Sequence, residues 1–138
     1  MRVYFDSCIL IYRIEQRQPW AQRVDALLAS IDAAAALFVT TELTRLECRV
    51  RPLALGRADV LRDYDAFFEQ PTLLWQPFDR RVFDSAAQLR AEHGLKTPDA
   101  LHLAAALAAG CDQFWTNDHR LDAAAAQTLR VVVPGDQP

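Results

Sequence analysis

Apolar and polar positions along the chain follow two rhythms that alternate with each other. Short β-prone runs at 2–5, 37–40, 73–75, 114–116 and 129–133 read as strands. Between them the apolar residues fall at helical spacing. Residues 7–14 read as a short helix, and from Trp20 the positions Val24, Leu27, Leu28 and Ile31 mark one face of a second, started by Pro19. A third helix spans about 42–51 and is ended by Pro52. Val60, Leu61, Tyr64, Phe67 and Phe68 mark a fourth, closed by Pro71, and Val82, Phe83, Ala86 and Leu89 a fifth that stops at Gly94. A sixth begins near Thr97 and is Ala and Leu almost all round to Ala109, the pattern of a buried helix.

Strands alternating with helices over short connections predict an α/β fold with a central, mostly parallel sheet. Ligands of such sheets sit beyond the carboxyl ends of the strands. Asp6 and Asp118 follow the first and fourth predicted strands and belong at that edge. With 138 residues, 51% of them hydrophobic, the chain suits one domain with a substantial core, read as 1–133 with a Pro/Gly tail at 134–138. The formal net charge of −3 argues against a basic wrapper of nucleic acid, though not against a nuclease whose pocket is itself acidic. Cys8, Cys48 and Cys111 have no metal-type spacing and imply no disulfide framework. With no apolar run of membrane length, the expectation is a soluble, cytoplasmic protein that does not enter membranes.

The stretch Lys96-Thr97-Pro98-Asp99-Ala100-Leu101-His102 opens the sixth helix. Thr97 is read as its N-cap and Pro98 as its first residue, which puts Asp99 in the first turn. There the helix dipole favours the ionised carboxyl. Asp99 can serve as a cap or hold a cation. In the third helix Leu43, Leu46 and Val50 are read as the apolar stripe, with Glu47 inside it and Glu42 toward solvent. A carboxylate on a core-facing surface needs a partner, either an arginine such as Arg51 or a metal pocket. Asp6, Glu47, Asp99 and Asp118 would repel one another if gathered unpaired, and a hard divalent cation, Mg²⁺ or Mn²⁺, would relieve that repulsion. Such an ion can polarise a phosphoryl group and activate water for in-line attack.

Weaker candidates surround these acids. His102, one turn beyond Asp99, can orient that carboxylate or be a satisfied core histidine. Ser7 and Thr116 carry hydroxyls able to bond the acids or metal waters. Arg45, Arg49, Arg80, Arg81 and Arg120 can contact phosphates or simply face solvent. Trp20, Phe68 and Trp75 can serve an interface or the core. No Gly-rich phosphate loop, Walker lysine or nucleophile elbow is present.

Asp6 after the first strand, the run Thr41-Glu42-Leu43-Thr44-Arg45-Leu46-Glu47, the run Thr97 to His102 and the triplet Thr116-Asn117-Asp118 together resemble the PIN-domain nucleases. Among these the chain is most similar to the VapC-type toxins of toxin–antitoxin pairs. The resemblance implies a PIN-like three-layer α/β/α fold and an acidic quartet at Asp6, Glu47, Asp99 and Asp118, with Thr116 as a polar helper. It further implies an Mg²⁺- or Mn²⁺-dependent endoribonuclease that cuts RNA, forms a homodimer and is held inactive by a VapB-type antitoxin. Two other readings compete. One is a PIN-like module that binds a partner protein without catalysis. The other is an aspartate-dependent phosphatase on a similar sheet, against which Asp6-Ser7-Cys8 lacks a second aspartate two residues on.

Overall fold

The computed structural model describes residues 1–125 and 127–136; Gln137 and Pro138, the end of the expected tail, lie outside the described residues. Five strands, β1 (Arg2–Phe5), β2 (Leu37–Thr40), β3 (Leu74–Trp75), β4 (Gln113–Trp115) and β5 (Arg130–Val132), form one sheet in the order β3-β2-β1-β4-β5. Every neighbouring pair is parallel. The connections are α1 (Ser7–Ile14), α2 (Trp20–Ala29), α3 (Glu42–Ala54), α4 (Ala58–Phe68), α5 (Arg80–His93) and α6 (Thr97–Ala108), with a 3-10 turn at His119–Ala123.

Alternation along β1 and β4 explains the layering. Tyr4 and Phe114 point to one face, where they join Val82, Ala86, Leu89 and Leu103 of α5 and α6. Val3, Phe5 and Trp115 point to the other and join Ile9, Leu10, Val24, Leu27, Tyr64 and Phe68 of α1, α2 and α4. Helices on both faces let the central strands be apolar on both sides, as an all-parallel sheet requires. The three-layer α/β/α arrangement expected from the sequence is the one observed. Phe68 is core, Trp20 stacks on Tyr12 at 5.1 Å, and Trp75 keeps 39% of its surface exposed.

Three details differ from expectation. Helix α3 runs through Pro52 to Ala54 rather than stopping before it. Proline deletes one rung of the ladder, and the helix closes beyond it when Leu55 N–H bonds Arg51 O at 3.0 Å. The buried line of α3 is Thr44, Cys48 and Pro52, whereas Leu46 and Val50 are more than half exposed. The Leu43–Leu46–Val50 stripe is therefore not the core face. At α6 the capping position belongs to Lys96, which makes no side-chain cap bond, and Thr97 and Pro98 are already helical. The Lys96 carbonyl accepts from Ala100 N–H at 3.0 Å, so the helix starts one residue early and Asp99 stays in its first turn. Gly94, at φ 67, closes α5 in the left-handed region as expected of a glycine.

Candidate metal and phosphodiester site

The sheet changes direction at β1, whose neighbours β2 and β4 lead away to opposite edges. The carboxyl ends of β1 and β4 meet at that switch point, where parallel sheets place their ligands. Asp6 is the first residue past β1. Its main-chain N–H bonds Trp115 O at 2.9 Å, continuing the pairing with β4. Asp6 Oδ1 accepts from Ser7 N–H at 2.8 Å and caps α1, while Oδ2 accepts from the Thr116 hydroxyl at 2.9 Å. Ser7 thus acts through its main chain, and Thr116, wholly buried, acts through its hydroxyl. The same Thr116 oxygen accepts from Asp118 N–H at 3.3 Å, tying two of the acids to one threonine.

Glu47 reaches this edge from α3. Its partner is His102 Nε2, not Arg51, and the same nitrogen lies 3.7 Å from Asp6 Oδ1. His102 is buried in α6 and its other nitrogen, Nδ1, lies 2.7 Å from the Tyr4 hydroxyl. The histidine therefore serves Glu47 and Asp6 rather than orienting Asp99. Glu42 faces solvent as expected, and Arg49 pairs with Asp65 of α4.

Asp118 caps the 3-10 turn and is held by Arg120. Arg120 N–H and Nε each donate to Oδ1 at 2.9 Å, and a terminal guanidinium nitrogen donates to Oδ2 at 2.7 Å. These bonds hold the Asp118 carboxyl below the usual aspartate range. Asp99 is half-buried, and its carboxyl is shifted the other way. Desolvation pushes it up, with the charges of Asp6 and then Asp118 adding to the effect. That shift is the electrostatic sign that three of the acids share one neighbourhood. Asp99, Asp118, Arg120, Lys96 and His93 line an open cleft of about 190 Å³.

Among the described residues, no three His, Cys, Asp or Glu side chains converge closely enough to grip a metal as they stand. Glu47 and Asp118 are already engaged, one by an imidazole and the other by a guanidinium. The donor set nevertheless suits a hard cation. All four acids offer oxygen, and Asp99 carries a repulsion that a cation would relieve. A soft ligand is less apt, because burial and then the Asp6 charge push the neighbouring Cys8 thiol up to about 12. Among the described residues no helix is long and apolar enough to cross a membrane.

The sequence could not reveal Tyr4 or the guanidinium clamp. Tyr4 reads as an ordinary strand residue, and its pairing with His102 spans 98 positions. The spacing of Thr41 and Thr44 was the one available signal, since Thr44 N–H bonds the Thr41 hydroxyl as an N-cap predicts.

Comparison with known proteins bears on the same edge of the sheet. No curated protein matches the chain in sequence. Its backbone is similar to the VapBC2 complex of Rickettsia felis bound to a promoter DNA fragment, with a TM-score of 0.71 at 15% identity over 96% of this chain and 98% of that one. It is also similar to FitAcB of Neisseria gonorrhoeae, at 0.70 and 21% over 98% and 99%. A third similar structure is VapBC-1 of nontypeable Haemophilus influenzae, at 0.66 and 15% over 96% and 98%. These likenesses concern the fold. The PIN domain pattern, by contrast, matches the sequence itself over residues 3–127, a span that contains Asp6, Glu47, Asp99 and Asp118, and the chain therefore belongs to the PIN-domain family.

Proposed function

We propose that the protein is a metal-dependent endoribonuclease whose site is Asp6, Glu47, Asp99 and Asp118. The observation carrying this reading is the gathering of the four acids at the carboxyl edge of a parallel sheet: Thr116 bonds Asp6 and the main chain of Asp118, His102 Nε2 faces Glu47 and Asp6, and Asp99 lines one cleft with Asp118. Asp6 and Asp99 would hold Mg²⁺ or Mn²⁺, with Glu47 and Asp118 completing the set. Such a cation supplies a polarised phosphoryl group and a water of lowered pKa. The chain's own residues do the rest. Thr116 and the Ser7 N–H keep the Asp6 carboxylate facing the rim, and His102 keeps Glu47 beside it. Arg120 and Lys96 bring positive charge to the cleft beside Asp99, where the backbone of a single-stranded RNA has to pass.

Its place in the cell follows from the same reading. Residues 1–133 act as a single PIN domain with 134–138 as a tail, in the cytoplasm. The chain is the toxin of a toxin–antitoxin pair, a homodimer silenced by a VapB-type antitoxin. The similarity to VapBC2, FitAcB and VapBC-1 supports the antitoxin partner, and a small reading frame for a DNA-binding protein just upstream of the gene would strengthen it.

Incubating the purified chain with total RNA in Mg²⁺ or Mn²⁺, with and without chelator, tests the reaction. Cleavage that needs the metal and vanishes in Asp6→Asn and Asp99→Asn is the expected result. Equal cleavage by either variant and the parent in Mn²⁺ would refute the assignment. The engagement of Glu47 and Asp118 by His102 and Arg120 favours a second reading, a PIN module that binds a partner without catalysis. Calorimetry with Mn²⁺ separates the two, because only the nuclease reading requires the ion to bind.

A further inference from the structure

Lys96 and Arg120 both line the cleft beside Asp99, and they stand in different states. Lys96 is exposed and makes no ion pair or side-chain hydrogen bond among the described residues. Arg120 is already engaged. Its Nε donates to Asp118 Oδ1 at 2.9 Å and a terminal nitrogen donates to Oδ2 at 2.7 Å, a side-on fork that fits a carboxylate or a phosphate equally well. While that edge of the guanidinium lies on Asp118, it does not lie on a phosphate.

The pair can part at little cost. Asp118 caps the 3-10 turn that carries Arg120, and the arginine side chain is 85% exposed against 21% for the aspartate. An ion pair with so wet a partner contributes little, because water and salt replace it readily. Nor does Asp118 owe its place to the guanidinium. Its N–H bonds Thr116 Oγ1 at 3.3 Å, and its Oδ1 accepts from the Arg120 main-chain N–H at 2.9 Å. With the arginine side chain swung away, Oδ1 would keep that main-chain bond and Oδ2 would be bare, beside the cleft that Asp118 shares with Asp99.

We propose that Arg120 is an exchangeable counter-ion. It neutralises Asp118 in the metal-free protein, and it passes to a phosphate of the RNA once Asp118 has turned to Mg²⁺ or Mn²⁺. Lys96 meets phosphate with or without the ion. The exchange deepens the nuclease reading and rests on it for both the ion and the RNA. Like charge drives it, since a guanidinium beside a divalent cation is repelled while a phosphate offers the same fork. Metal and RNA therefore favour each other's binding, and part of that coupling passes through Arg120.

The test follows a fluorescent 2′-O-methyl oligouridylate of about twelve nucleotides by anisotropy over a range of salt, with and without Mn²⁺, its integrity checked by gel. Each cation on a phosphate of a single strand adds about 0.7 to the steepness with which log affinity falls against log salt. Lys96→Ala should reduce that slope by about 0.7 in both conditions. Arg120→Ala should match the parent without Mn²⁺ and fall about 0.7 short of it with Mn²⁺. Arg57→Ala, which removes the same side-on fork from Asp59 outside the cleft, should change neither slope. In calorimetry Arg120→Ala should bind Mn²⁺ about two- to fivefold more tightly than the parent. A slope in Mn²⁺ equal to the parent's overturns the proposal, as does a slope already reduced without the ion, or Mn²⁺ bound no more tightly. A parent that fails to bind the oligonucleotide in Mn²⁺ overturns it as well. A parent that takes up no Mn²⁺ removes the nuclease reading and the exchange together. If the slopes come out as expected while total RNA stays uncut in either metal, the nuclease reading falls and the exchange stands.

Discussion

The two halves of the acid rim are held by different means. Asp6 and Glu47 are attached to the core, one through a buried threonine and the other through a buried histidine, which is itself held by a buried tyrosine. Asp99 and Asp118 border an open cleft, and the partner of Asp118 is an arginine whose side chain is 85% exposed. A buried polar network is costly to disturb, because each lost partner strands another group away from water. An exposed ion pair is worth little and exchanges readily. The first half is therefore pre-arranged, and the second is free to give up Arg120 when something better charged arrives.

The sharpest way to break this contrast is His102→Ala, which opens a gap in the core and removes the nearest partner of Tyr4 and the imidazole that holds Glu47. It should destabilise the fold by about 3 kcal/mol, roughly 10 °C in Tm, as measured by thermal or urea unfolding. Thr116→Val keeps shape but removes the hydroxyl bonded to Asp6, and it should cost about 1–2 kcal/mol in the same assay. A loss as small as that of an exposed pair in both variants would erase the distinction.

On the open side the effects are smaller and one reverses sign. Because the Asp99 carboxyl is raised in the folded state, the fold holds its proton to higher pH than the unfolded chain does. Its contribution is thus full below the ordinary aspartate range and is lost as pH rises through the raised one. Asp99→Asn should then gain about 2 °C at neutral pH, a gain that disappears below about pH 4. Asp118 works in the opposite sense. Its lowered carboxyl contributes stability above the ordinary range, lost as pH falls through the lowered one. Since the pair is exposed, Arg120→Ala should change stability by less than about 1 kcal/mol. The same variant should tighten Mn²⁺ binding in calorimetry, because Asp118 is released. Weaker binding would mean that Arg120 positions Asp118 for the ion instead.

How legible each half was in the sequence follows the same division. Asp6 and Asp118 were readable because strand ends are local and the parallel sheet dictates which way they face. Asp99 was readable from the helix start, even though the cap lies at Lys96 rather than Thr97. Glu47 was picked out by an argument that the structure replaces. The stripe of Leu43, Leu46 and Val50 does not face the core, and Glu47 stands on the border of the line Thr44, Cys48 and Pro52. The size of the apolar residues points to Leu43, Leu46 and Val50, whereas the buried positions hold the smaller Thr44, Cys48 and Pro52, which allow close approach. Tyr4 was out of reach because its meaning lies in a contact between the first strand and the sixth helix, and nothing local distinguishes it from a β-former.

The central place of β1 also governs when the site can come into being. The first strand is made before the fourth, and Asp6 finds Thr116 only across 110 residues, when β4 is made and pairs beside it. Parallel pairing over such a separation is late by nature, since the intervening chain must first be ordered. A polypeptide cut short before β4 would carry Asp6 without the strand and threonine that align it. On the nuclease reading, an activity assembled in this order is withheld until β4 is in place.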